Sequence, residues 1–208
     1  STIIGQECLD ELADFAGLKA EVSAITERAM RGELDFEGAL TTRVGMLKGL
    51  ELSALEAAYK ERITLNPGAR TLTATMKANG AHAVLVSGGF TFFTSRVAVA
   101  SGFDAHRGNT LVDDGAALTG EVGRPILGRE AKLTALDETA AVHGLARADA
   151  LALGDGANDL DMIRAAGLGI AYHAKPIVAE QATAAIQHTD LTAALFFQGY
   201  AADEFVTG

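Results

Sequence analysis

Between Ala148 and Met162 the chain reads Ala-Asp-Ala-Leu-Ala-Leu-Gly-Asp-Gly-Ala-Asn-Asp-Leu-Asp-Met. A short apolar run stops at Gly154, the carboxylate of Asp155 follows, and after Gly156 the polar pair Asn158-Asp159 opens a helix. This order puts an acidic side chain at the carboxyl end of a buried parallel strand, the position where open α/β sheets bind ligands. Oxygen donors of this kind suit a hard cation such as Mg²⁺. Two other readings fail. An EF-hand counted from Asp155 needs Gly at its sixth position and Glu at its twelfth, and the chain has Leu160 and Ala166 there. A dinucleotide fingerprint needs a third glycine, and Asp159 occupies that place.

The sequence around this segment predicts two kinds of structure. From about residue 6 to 79 apolar side chains recur at helical spacing: Leu9, Leu12, Ala13 and Ala16; Val22, Ile25 and Ala29; Phe36, Leu40, Val44 and Leu47; Leu52, Leu55, Ala58 and Tyr59. Gly17 and Gly49 stop two of these helices, and Asn66-Pro67-Gly68 is a turn that begins another, with proline at an early helical position. After Gly80 strands and helices alternate. Ala83–Val86 is a strand ending at Ser87-Gly88-Gly89, and a helix runs from about Thr91 to Ala100. Hairpin candidates flank Asp113-Asp114-Gly115, and a helix covers about Arg129 to His143. Strands follow near 150–153, 169–171 and 184–186, separated by helices, with a last helix over about 191–197. Alternation of this sort predicts an α/β fold, a Rossmann-like parallel sheet covered by helices, carrying a small helical cap subdomain. The expected division is 1–5 with 76–208 as the core and 6–75 as the cap.

Composition narrows the function. The 208 residues are 49% hydrophobic, enough for a sizeable core, and the formal net charge of −10 argues against a nucleic-acid partner. No apolar run reaches the length of a membrane span. Cys8 is the single cysteine, which excludes an intrachain disulfide and fits a cytoplasmic location. No targeting segment opens the chain, but it does not begin with Met, so that absence carries little weight. The five histidines are scattered without metal-ligand spacing.

Four segments then fall in order: Ser1-Thr2-Ile3-Ile4 with Glu7, Ser87-Gly88-Gly89, Lys132 early in a helix, and Gly154-Asp155-Gly156-Ala157-Asn158-Asp159. Together they resemble the haloacid dehalogenase superfamily and, within it, the phosphoserine phosphatases, over Ser1 to about Leu191. Arg31-Gly32-Glu33-Leu34-Asp35-Phe36 and Arg43-Val44 resemble that group's amino-acid-recognition part. The family opens on Asp-x-Asp-[Ser/Thr] at the end of its first strand. Ser1-Thr2 resembles the tail of that motif, so the resemblance puts the acid/base aspartate just before Ser1 and the nucleophile three positions before it. The first strand is expected there too, and the chain is expected to be part of a competent enzyme.

The resemblance implies Mg²⁺-dependent hydrolysis of O-phosphoserine, a small-molecule substrate, through an aspartyl-phosphate. Asp155 would ligate the metal. Asn158 would bind phosphate or a metal-bound water, and Asp159 would orient Lys132 or a metal ligand. Ser87 Oγ and the Gly88 N–H would hold phosphate oxygens, and Lys132 would pair with phosphoryl and nucleophile oxygens; Arg129 competes for that role. Glu7 would meet the substrate ammonium and Arg43 its carboxylate, with Phe36 over the site when the cap closes. A homodimer is compatible with the resemblance. Two alternatives stay open: a phosphatase or phosphotransferase acting on another small phosphate ester, and a non-catalytic phosphate- or amino-acid-binding module.

Overall fold

A computed structural model describes residues 1–30 and 33–207. Arg31 and Gly32, part of the expected recognition segment, lie outside the described residues. The N-terminal third is helical: α1 (Cys8–Phe15), α2 (Lys19–Met30), α3 (Phe36–Met46), α4 (Leu52–Arg62) and α5 (Ala69–Ala78). The α/β part follows with β1 (Val84–Phe90), α6 (Thr91–Ser101), β2 (Ala105–Asn109), β3 (Leu111–Asp113), β4 (Leu118–Val122) and α7 (Glu130–Val142). It closes with β5 (Leu151–Gly154), α8 (Leu160–Ala165), β6 (Leu168–Tyr172), α9 (Pro176–Ala179), β7 (Ala184–Ile186) and α10 (Ala193–Phe196). The expected strand–helix alternation is therefore present. Pro67 differs in detail. It lies before the helix, because Gly68, at φ +82°, occupies the cap and turns the chain into α5 at Ala69. That left-handed conformation suits glycine.

The ladders are parallel where strands connect through helices. β1 pairs with β2, Val84 opposite Ala105, and β5–β6–β7 form a second ladder, with Gly154 opposite Ala171 and Tyr172 opposite Ile186. β3 and β4 make the antiparallel hairpin around Gly115. β6 is covered on both faces, and Ile170, Ala171 and Tyr172 are buried. β1 and β5 are apolar too, yet Val84, Leu85, Val86, Leu151 and Leu153 are only half-buried. Their unused edges line one cavity of about 480 Å³.

Helical spacing correctly picks the side chains that α1, α3 and α4 bury. Leu9, Leu12, Leu40, Val44, Leu47 and Leu55 form one cluster, joined by Phe90 and Phe93 from the α/β part and by Leu111, Leu118 and Val122 of the hairpin. The hairpin is tied to the helices by backbone as well: the Gly49 N–H donates to the Leu118 carbonyl, and the Leu118 N–H to the Leu50 carbonyl, at 2.8 and 2.9 Å. In contrast α5 packs through Ala69 and Leu72 against Ile170, Leu191 and Leu195, on the sheet.

Two short segments join the helical and sheet-bearing parts. Ile4 and Leu65 form an antiparallel bridge, the Asn66 N–H donates to the Ile3 carbonyl at 2.9 Å, and the Gly5 N–H donates to the Thr64 carbonyl at 3.2 Å. Asn66 Nδ2 reinforces the pair by donating to the Thr2 and Ile4 carbonyls at 2.9 and 3.1 Å.

One close approach fixes how α8 lies on the sheet. A β-carbon at Gly169 would stand 1.9 Å from the Ile163 carbonyl oxygen. Backbone cannot yield as a side-chain tip can, so Gly169→Ala should destabilise the protein by about 1–3 kcal/mol. A urea midpoint unchanged from the parent would contradict this packing argument.

Candidate active site

The carboxyl ends of β1 and β5 bring two motifs from sequence positions far apart to the same cavity. Its lining includes Ser1, Thr2, Glu7, Phe36, Arg43, Ser87, Gly88, Lys132, Asp155, Asn158 and Asp159. The structure thus brings Glu7, Phe36, Arg43, Ser87, Gly88, Lys132, Asp155, Asn158 and Asp159 to one cavity.

The Gly-Asp-Gly segment is shaped by Asp159. Its Oδ2 accepts from the Asp155 and Gly156 N–H groups, both at 3.0 Å, and its Oδ1 accepts from Lys132 Nζ. The carboxylate and the ammonium are both withdrawn from water, with 4% and 12% of their side chains exposed. Folding Asp159 back this way requires glycine at 154. A β-carbon at Gly154 would lie 2.3 Å from Asp159 Cβ, and one at Gly156 2.3 Å from Asn158 Oδ1. Gly154, which ends the strand in the sequence, is thus what lets Asp159 close over the turn.

Arg129, the alternative to Lys132, is directed elsewhere. It is half-exposed and holds Asp161 in a bidentate pair at 2.7 Å. Lys132 is the cation that enters the cavity.

Asp155 stands beside Ser1 and Thr2. Its Oδ2 lies 3.1 Å from the Ser1 nitrogen, and its Oδ1 accepts from the Thr2 hydroxyl at 2.7 Å. Glu7 Oε1 lies 3.1 Å from the same nitrogen. Two carboxylates therefore face one small space, which favours a cation. An oxygen-only donor set of this charge fits a hard divalent ion, which commonly takes one or two protein carboxylates and fills its shell with water and phosphate oxygens. Among the described residues no group of three or more His, Cys, Asp and Glu is arranged to hold a metal, so Asp155 would supply only part of such a shell.

At the end of β1, Ser87 Oγ accepts from the Gly89 N–H at 3.0 Å, curling the turn. Asn109 fixes its other side: the buried amide donates to the Gly88 carbonyl at 2.8 Å and to Leu127 O at 3.2 Å, while its oxygen accepts from the Leu127 N–H at 2.7 Å. Sequence reading missed Asn109; the available signal was one amide at the end of a short strand. It missed Thr2 as a partner of Asp155 for a plainer reason, since the two are 153 positions apart.

The helical side closes over this floor. Asp35 caps α3 by accepting from the Gly38 N–H at 2.7 Å, which sets the first turn and Phe36 with it. Phe36 departs from its helical stripe: it is 46% exposed rather than packed in the core. Its ring stands over Gly88, where a β-carbon would meet Cζ at 3.5 Å, and near Gly128. Glu37 pairs with Arg124 across the same gap. Arg43, further along α3, is half-buried; desolvation lowers its pKa, opposed by the charges of Asp10 and Glu7. Beside Glu7, burial raises the Cys8 thiol to about 12, with the Glu7 charge adding to the rise, so Cys8 stays protonated and is no nucleophile at neutral pH.

Known proteins resemble this chain in sequence and fold. Residues 1–164 match the family described as haloacid dehalogenase-like hydrolase. A phosphoserine phosphatase of Polaromonas sp. is 48% identical over 196 residues, covering 92% of this chain and 83% of its own. That of Methanocaldococcus jannaschii is 40% identical over 191 residues, covering 92% and 90%. A crystal structure described as a substrate-bound phosphoserine phosphatase complex superposes with a TM-score of 0.86 at 39% identity, covering 95% of this chain and 93% of that one. Another, described as a phospho-aspartyl intermediate analogue of phosphoserine phosphatase, gives a TM-score of 0.85 at 38% identity over 94% and 93%.

Proposed function

Because the chain belongs to the haloacid dehalogenase-like hydrolases, and among them to the phosphoserine phosphatases, we propose that its cavity hydrolyses O-phospho-L-serine to L-serine and phosphate through an aspartyl-phosphate. One observation carries this reading: a single cavity is lined by Ser87, Gly88 and Lys132 on its sheet side and by Glu7 and Arg43, of opposite charge, on its helical side. The similar structure described as a phospho-aspartyl intermediate analogue supports the route.

The nucleophile and the acid/base carboxylate belong, in this reading, to an extended segment leading into Ser1. Support comes from the sheet. The free edges of β1 and β5 both line the cavity, their apolar residues are half-buried, and Ser1 lies beside Asp155 at the carboxyl end of β5. A parallel strand between them would pair both edges and deliver its last residues beside Ser87 and Asp155.

Each remaining role follows from placement. Ser87 Oγ and the Gly88 N–H, at a turn without a β-carbon to obstruct approach, hold phosphate oxygens. Lys132, oriented by Asp159, neutralises charge that develops on the transferred group. Asn158, exposed at the cavity, binds a phosphate oxygen or water. Asp155 is the chain's ligand to Mg²⁺, which when bound would neutralise phosphoryl charge so that a carboxylate can approach. Glu7 meets the substrate ammonium and Arg43 its carboxylate, and Phe36 seals the opening. The helical unit that carries them is a cap hinged on the two short segments bridged at Ile4 and Leu65, and its closure excludes water from phosphoryl transfer.

The test is phosphate release by the complete encoded protein, with Mg²⁺ and with EDTA. O-phosphoserine should be the preferred substrate and EDTA should abolish turnover. Arg43→Ala should raise KM for phosphoserine by about tenfold or more while leaving a generic aryl phosphate within about twofold, since a charge-assisted contact to one carboxylate is lost. Equal effects on both substrates would remove Arg43 from recognition. Faster turnover of another phosphate ester, or transfer to an added alcohol in place of water, would keep the chemistry and change the substrate or acceptor.

A further inference from the structure

Arg43 is held by two neutral oxygens. Its Nε donates to the carbonyl of Ala39, one turn earlier on α3, at 3.2 Å, and its Nη1 donates to Thr26 Oγ1 on α2 at 3.3 Å. Among the described residues it forms no ion pair, and Glu7 and Asp10 act on it only through their field. We propose that Thr26 is a positioning residue for substrate recognition: it fixes the direction of the Arg43 guanidinium and leaves its charge for the ligand's carboxylate. This rests on the reading of Arg43 given above and assigns how that specificity is set.

The chemistry of Thr26 suits the task. Its hydroxyl proton is committed to the Val22 carbonyl, one turn back on its own helix, at 3.1 Å. The oxygen's lone pairs are thereby left for Arg43, so Thr26 acts as an acceptor. Ala39 anchors the guanidinium to its own helix, and Thr26 supplies the anchor on a different helix. Two anchors on two helices fix the plane of a side chain that otherwise carries much rotamer freedom. A carboxylate at this place would also fix it, but would pair with the charge and compete with the ligand. The Nη2 hydrogens keep no partner among the described residues, and Arg43 lines the cavity.

The experiment compares O-phosphoserine with O-phosphoethanolamine, which keeps the phosphate and ammonium and lacks the carboxylate, on the complete encoded protein. Thr26→Val keeps the side-chain shape and removes the acceptor. It should raise KM for phosphoserine by about tenfold, with kcat and the phosphoethanolamine KM within about twofold, in line with loss of one hydrogen bond to a charged group. Thr26→Ser, which keeps the hydroxyl, should restore the phosphoserine KM. Proportional loss on both substrates, or no change in Thr26→Val while Arg43→Ala abolishes the preference, would overturn the positioning role and leave the Arg43 reading intact. If neither variant alters the preference, both readings fall.

Discussion

Asp159→Ala lowers the unfolding free energy by about 3–5 kcal/mol, the largest stability loss expected from a single change in the cavity. Three groups lose their partner together: the Lys132 ammonium and the N–H groups of Asp155 and Gly156. The Asp155 and Gly156 N–H groups are part-buried, and Lys132 is only 12% exposed. The cost comes mainly from stranding a buried charge, not from losing the attraction itself. Removing both charges should therefore undo much of it. The double variant Asp159→Ala with Lys132→Met should be more stable than Asp159→Ala alone, a coupling that urea midpoints of the four proteins in the cycle would measure. Asp159→Asn, which keeps an acceptor for the backbone, should fall between parent and alanine variant. Equal midpoints for Asp159→Ala and the parent would show that the Gly-Asp-Gly turn is held by something other than this carboxylate.

Asp155→Asn has the opposite profile: it leaves stability within about 0.5 kcal/mol and reduces Mg²⁺-dependent phosphate release by about 10²–10³-fold. Asp155 is half-exposed at the cavity, and an asparagine oxygen can still accept from the Thr2 hydroxyl. The substitution removes one negative charge from a space that Asp155 shares with Glu7. The apparent Mg²⁺ affinity should weaken along with the rate. Kinetics at several Mg²⁺ concentrations, with a thermal melt on the same sample, separate this result from simple unfolding. Parent-like turnover and Mg²⁺ dependence in Asp155→Asn would remove Asp155 from metal binding.

The two variants also mark where sequence reasoning was sufficient. Asp155 and Asp159 are four positions apart in a segment whose glycines dictate the turn, so their presence at a strand end was legible locally. Helical spacing likewise gave the buried faces of α1, α3 and α4, because periodic apolar residues must turn toward one core. Phe36 shows the limit. It fits the stripe of α3 as well as Leu40 does, yet it ends over Gly88, because the first turn of that helix projects past the helical cluster toward the sheet. The resemblance put it over the site, where periodicity alone pointed to the core. Lys132 and Arg129 pose a similar choice three residues apart on one helix. Only the position of Asp161, which captures Arg129 outside the cavity, separates them.

By itself the sequence determined the things that depend on near neighbours: which segments are helices or strands, where glycine permits a turn, and which polar groups stand at strand ends. Those are short-range consequences of backbone sterics and apolar periodicity. Tertiary structure alone decided the pairings that join distant positions. Thr2 meets Asp155, Asn109 holds the Gly88 turn, Thr26 holds Arg43, and β1 and β5 expose facing edges to one cavity. Each depends on the relative placement of whole elements, which the packing of Phe90 and Phe93 into the helical cluster and of α5 onto the sheet sets cooperatively. No local pattern encodes such a distance, because it is fixed by the sum of contacts across the core.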